Sequence, residues 1–217
     1  MISEKITIDE MMIRVLPGGF IIGLVFFVSK ANLPSNQNFD FLYSFLFFCL
    51  AFIVGEILQT LSHGMEFFVD IFFKGYRPSE IFLYDNNPIC NNKIRGQLIK
   101  KFNLTDKEKE LFEKKYSSIP LICPKKSIIR QCSQDQFWRI YANVEEVGSI
   151  RRANVSYLFT RVMIIVFLIS CLYLFSNHLI LYSTISLAIM TIFIWRAKGI
   201  ARGLVFKTSL IYLKGEK

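Results

Sequence analysis

The sequence predicts an all-α, polytopic membrane protein: four transmembrane helices, with a mostly helical cytoplasmic insert between the second and third. Three observations carry that expectation. The 217-residue chain is 53% hydrophobic and holds 22 phenylalanines, a balance that soluble domains of this length seldom reach. Four segments approach the roughly 20 apolar residues needed to cross the hydrocarbon core of a bilayer. Lysine and arginine, finally, are spread unevenly over the connecting segments.

Taken in order, residues 1–11 ("MISEKITIDEM") form a polar lead-in to the first span, 12–30 ("MIRVLPGGFIIGLVFFVSK"). This span is expected to be retained rather than cleaved, because its apolar run is long and no A-x-A-like site follows. Gly19 and Gly23 make a small-xxx-small pair that suits close approach of another helix. The second span, 40–62 ("DFLYSFLFFCLAFIVGEILQTLS"), is expected to continue through "MEFFVDIFFKGY" and to break near Gly75 and Pro78. Residues 77–104 read as loop and short pieces, with "IFLY" docking on the bundle. "LTDKEKELFEKKYSS" reads as a helix, with Thr105 and Glu108 as a capping box and Lys114 and Lys115 at its end. Ser133 and Gln136 suggest a second capping box, opening a helix that runs toward the third span with a break at Gly148. The third and fourth spans are 157–176 and 178–195, and 196–217 is a basic tail.

This divides the chain into a hairpin of spans (1–73), a basic insert (74–156), a second hairpin (157–195) and the tail. Lys30 is the only base between the first two spans, and the "SNH" turn between the last two has none. From Lys74 to Arg152 there are 16 Lys and Arg against nine Asp and Glu. The positive-inside rule then places both termini and the insert in the cytoplasm. The net charge of +9 is absorbed by loops facing anionic lipid, so direct nucleic-acid contact is not expected. Five cysteines, two in spans and three on the reducing side, do not make a disulfide framework. Their spacing suits no zinc site, and no metal or cofactor is expected.

The second span carries the most informative pattern. Glu56, Gln59, His63, Glu66 and Asp70 recur at spacings of three and four, which lines five polar groups along one helix face. The candidate counter-charges are Arg14 and Arg161, read as lying at the depth of Glu56, and Arg151 and Arg152, within reach of Glu66 or Asp70. One reading makes the file a seam of hydrogen bonds and ion pairs that packs helices or copies together. A second lines a water-filled cation or proton path in an oligomer with Glu56, Gln59, His63 and Glu66. A third, a metal or catalytic site, finds no matching ligand pairs on other helices, since His178 falls on the opposite side of the membrane. There is no phosphate-binding glycine loop, nucleophile elbow or H-E-x-x-H, and no enzyme is expected. In the tail, Arg196, Lys198, Arg202 and Lys207 alternate with apolar residues, as in an interfacial amphipathic helix contacting lipid or a partner.

The order of two spans, a basic insert, two spans and a basic tail resembles the small four-span proteins of bacterial anti-phage defence systems. These include the membrane subunit of Kiwa-type systems and the four-span effectors that accompany nucleotide-signalling or RNA-guided systems. The resemblance covers the whole chain as architecture and carries over no individual residue. It implies an oligomeric inner-membrane component that senses or perturbs the bilayer and recruits a cytoplasmic protein. The sequence thus points to a non-enzymatic homo-oligomer coupling the membrane to a partner, with an ion channel or proton-coupled transporter as the alternative.

Overall fold

The computed structural model describes residues 8–29, 40–102, 104, 106–113, 115–118 and 128–215. The lead-in to residue 7, Lys30 and the following loop, Thr105 of the expected capping box, Lys114 and Cys123 lie outside them. Nine α-helices are present among the described residues: α1 (Ile8–Ser29), α2 (Asp40–Ser62), α3 (Glu66–Asp70), α4 (Pro78–Ile81), α5 (Asn92–Lys101), α6 (Asp106–Phe112), α7 (Ile128–Val144), α8 (Gly148–Ser176) and α9 (Ile180–Lys214). Among these residues there is no strand, only an isolated bridge between Asp85 and Lys115. Among the described residues, four stretches are helical, long and apolar enough to cross a membrane: Met11–Ser29, Ser44–Phe73, Gly148–Ser176 and Ile180–Lys214. The chain is therefore all-helical and consistent with a multi-pass membrane protein.

It divides into two compact units. One comprises Met1–Glu66 with Val155–Ala197, the other Phe67–Asn154 with Lys198–Lys217. In the first, α1 and α2 touch backbone to backbone. A Cβ on Gly18 would run into the Ala51 carbonyl, and one on Gly55 into the carbonyl of Arg14. The glycines that matter are thus Gly18 and Gly55, not the Gly19 and Gly23 pair expected from spacing. Gly23 has open space around it. Ile13, Leu58, Val162, Ile165 and Val166 form the apolar core shared by α1, α2 and α8. Serines tie α9 to α8: Ser183 Oγ donates to Cys171 O and Ser186 Oγ to Phe167 O, each at 2.9 Å. Such bonds hold helices together where apolar burial supplies no contrast with the surroundings.

The second unit begins as the α2 line ends. The helix runs on through α3 and a 3-10 turn (Ile71–Phe73), then stops at Lys74 (φ 61°) and Gly75 (φ 81°), before Pro78 opens α4. Ile81, Phe82, Leu83 and Tyr84, the "IFLY" stretch, are buried in this unit's own core. Phe82 packs edge-on against Phe137, and Tyr84 against Phe112. Asn87 fixes the following turn, accepting from Ile89 N and Cys90 N and donating to Phe82 O and Tyr84 O. With all four of its hydrogen-bonding positions used, this buried amide is satisfied.

Residues 92–101, read from sequence as loop, are helix α5. Asn91 caps it through Oδ1 on Ile94 N at 2.9 Å. Ser133 does not start a helix, because α7 begins at Ile128, and its hydroxyl donates to Ser79 O at 3.2 Å. The break at Gly148 is present, and α8 starts there. The tail is not a separate element. It continues α9, and Ala201, Leu204, Val205, Thr208 and Ser209 are buried within the second unit. A stripe of small and apolar side chains at three-four spacing lets that half of α9 pack against protein.

Candidate functional site

The polar groups of the second span do not share one environment. Beyond Ser62 the regular helix gives way to a 3-10 turn (His63–Met65) before α3 resumes. Three residues per turn in place of 3.6 rotates the positions that follow. The file therefore bends round the helix. Glu56 and His63 are exposed, Gln59 and Glu66 half-buried, and Asp70 buried in the second unit.

Two arginine sites result in the first unit. Arg14 Nε on α1 lies 3.0 Å from Glu56 Oε2 on α2, beside the Gly55–Arg14 backbone contact and one turn from the Gly18–Ala51 contact. Close approach of the two helices is what brings a short-reach contact to the guanidinium, which also stacks over Phe52. Arg161 on α8 is paired with Glu66 through Nη1. Its Nη2 donates to Ser62 Oγ at 3.3 Å and faces His63 Nδ1 at 3.1 Å. Arginine only donates, so the imidazole presents a lone pair there and carries its proton on Nε2. Arg161 is 3% exposed and its guanidinium lies over the Tyr157 ring. One contact region of α8 and the α2 line thus brings Ser62, His63, Glu66 and Arg161 together.

Arg161 was expected opposite Glu56 but lies more than two turns further along, at Glu66. The apolar run of α8 starts at Val162, so Arg161 marks its end rather than its middle. Arg151 and Arg152 are exposed, and Arg152 Nε bonds to Gly148 O in its own helix. Ser62, which sequence reasoning passed over, joins the cluster. Its three-residue offset from Gln59 on the file was the available signal. Gln59 Oε1 and Arg161 Nε are buried without a protein partner.

On α9, Arg196, Arg202 and Lys207 are exposed, while the Lys198 ammonium sits 4.8 Å above the Phe72 ring. Among the described residues, no three His, Cys, Asp or Glu side chains group as a metal site would need. Cys49, Cys90, Cys132 and Cys171 are free thiols. Burial pushes the Cys90 thiol up to about 11, with the Ser209 hydrogen bond and Arg202 acting the other way. Cys132 also rises to about 11, through burial first and then Glu108. Both stay protonated near neutral pH, which makes them poor nucleophiles. No protein-family model matches the chain, no curated protein matches it, and no solved structure matches it either.

Proposed function

We propose that the chain is a multi-pass protein of the bacterial inner membrane that forms a homo-oligomer and couples the bilayer to a cytoplasmic protein without catalysing a reaction. Both termini and residues 74–156 would face the cytoplasm, next to anionic lipid, as the basic loops favour. The observation that carries this is the disposition of charge in the apolar unit. Glu56 has Arg14 and Glu66 has Arg161, each from a different helix. Carboxylates engaged this way join helices instead of presenting a reactive group. Three of the four apolar helices have only 17% of their span windows covered by the chain itself, which leaves wide surfaces for lipid and neighbouring copies. The layout, similar to four-span defence proteins, makes phage defence the setting to test first.

The alternative is a cation path along Glu56, His63 and Glu66. The two guanidiniums paired with Glu56 and Glu66 count against it, since fixed positive charge repels permeating cations.

The deciding experiment is a mass measurement of the purified full chain in mild detergent, with ion flux from reconstituted vesicles. An oligomer is expected, weakened by Arg161→Gln and less by Glu56→Gln, additively because the two residues belong to separate pairs, with no change in flux. A monomer at every concentration, or altered flux from Glu56→Gln in an intact assembly, overturns the reading.

A further inference from the structure

Among the described residues, Trp138 on α7 is the single large apolar side chain exposed outside the four apolar stretches. It is 52% exposed, and edge-on contacts with Phe137 and Tyr141, each 5.6 Å between ring centroids, hold the indole in place. A side chain that is already ordered loses little entropy on binding, and Trp and Arg dominate the contact sites of proteins. Asp135, Trp138 and Ala142 lie within about 60° of one another round α7, and Glu145 follows on the same line just past its end. All four are exposed. Neither acid pairs with a cation among the described residues. Burial and, after it, the Glu145 carboxylate hold the Tyr141 phenol above its ordinary value, so that acid stands beside the aromatic group. Glu146 extends the acidic end, and Arg139 flanks one edge. The face is thus net acidic, in a unit with 21 Lys and Arg against 11 Asp and Glu.

We infer that this face of α7 is a docking surface for an arginine-bearing helix of a cytoplasmic protein. The inference rests on the membrane orientation proposed above and names the chemistry of the partner recruited. A guanidinium stacks flat on an indole while its fork reaches a carboxylate, which a lysine ammonium does less well. Asp135 stands three residues before Trp138 and Glu145 seven after, about 4.5 and 10.5 Å along the axis, so arginines spaced by whole turns on the partner meet both acids. Ala142 leaves room for their aliphatic stems. A second copy related by a two-fold axis does not fit, because it would set these acids against themselves. The bilayer does not fit either. Tyr141, which touches Trp138, packs in the cluster that includes Ile211 and Tyr212 of α9. With Ile180 at the outer edge, Ile211 lies about 46 Å down the axis, beyond a hydrocarbon core of about 30 Å and the inner headgroups. Anionic lipid would also repel the acids.

The test uses the full chain in phosphatidylcholine nanodiscs, with Trp195→Phe so that Trp138 is the only tryptophan left to fluoresce. The probe is an alanine-based helical peptide with arginines at i, i+4 and i+7, and its lysine-for-arginine and glutamate-for-arginine counterparts are the controls. Saturable binding of the arginine peptide, read as a change in Trp138 emission and by the anisotropy of a fluorescein-labelled copy, is expected. The lysine peptide should bind several-fold more weakly and the glutamate peptide not at all. By anisotropy, affinity should fall at least tenfold with Trp138→Ala, and with Asp135→Lys combined with Glu145→Lys, while Trp138→Phe keeps part of it. Absent binding, or binding indifferent to these variants, overturns the inference. Equal binding of the lysine peptide does so too, since charge alone would then explain it. A Trp138→Ala change in copies per disc marks self-association, and a blue-shifted Trp138 on adding phosphatidylglycerol without peptide marks a lipid contact; either one overturns it. Entry into the discs is read first. A chain that enters them as an oligomer yet ignores the peptide fails here alone, whereas one that stays outside the lipid overturns both proposals.

Discussion

The two arginine–carboxylate pairs of the first unit hold helices together under opposite conditions. Arg161 and Glu66 have side-chain exposures of 4% and 15%, against 29% and 50% for Arg14 and Glu56. The buried pair is a network in which Ser62, His63 and the Tyr157 ring also contact the guanidinium. The open pair is a single contact set by how closely two backbones approach. Enclosure makes the first costly to break, because desolvated charge without its counterpart has no water to fall back on. In the second, solvent stands ready to replace the partner. Helix packing thus depends on charge at one site and carries charge at the other.

Arg161→Leu gives the sharpest break in that contrast. The buried network loses its centre, and a loss of about 3 kcal/mol or more is expected in the stability of the full chain. Thermal unfolding in mild detergent reads it as a clear drop in midpoint. Replacing both partners, Arg161→Leu with Glu66→Leu, should recover much of that loss, since apolar groups of similar volume suit the enclosed site. If the double variant is as unstable as the single one, the arginine acts through its bonds to Ser62 and His63 instead of through Glu66.

Gly55→Leu should come next. It leaves every charge in place but drives a side chain into the Arg14 carbonyl, forcing α1 and α2 apart. Overpacking of this kind costs about 1–3 kcal/mol. The Arg14–Glu56 contact should lengthen with it, while the Arg161 network is untouched. Gly23→Leu, where space is open, serves as the control and should not lower the melting midpoint.

The legibility of these features in the sequence followed the range of the forces involved. The α2 limits at residues 40 and 62, the stop at Gly75 and Pro78, and the start of α8 at Gly148 were readable because local chemistry sets them. Glycine, proline and the end of an apolar run act within a turn or two. Helix α5 was also readable in principle. Asn91 is a sound N-cap, and Ile94 and Leu98 are buried at i, i+4, but Gly96 and the basic residues obscured the pattern. Which carboxylate Arg161 meets was not readable, because it depends on the register of α8 against α2. Counting from span ends misplaced it by more than two turns. Gly18 and Gly19 differ by only 100° round α1, and the choice between them is made by the partner helix. The last half of α9 looked like a basic membrane-surface helix because its charges dominate the sequence. Its buried stripe of Ala201, Leu204 and Thr208 is short, small and easy to miss.

Glu56→Gln should have the smallest effect and completes the comparison. Gln keeps an acceptor for Arg14 Nε, and the guanidinium is free to turn toward solvent, so under about 1 kcal/mol is expected. The remaining ion-pair contribution should shrink further in high salt, whereas the Arg161 variants should be nearly salt-independent because their site is closed to counterions. Measuring both melting midpoints at low and high ionic strength separates the cases. A salt-dependent Arg161 defect would mean that water already reaches the α2–α8 contact, and the two pairs would then differ in degree rather than in kind. A large, salt-independent Glu56 defect would instead place that carboxylate under a neighbouring copy in the proposed homo-oligomer, enclosed there as Glu66 is enclosed within the chain.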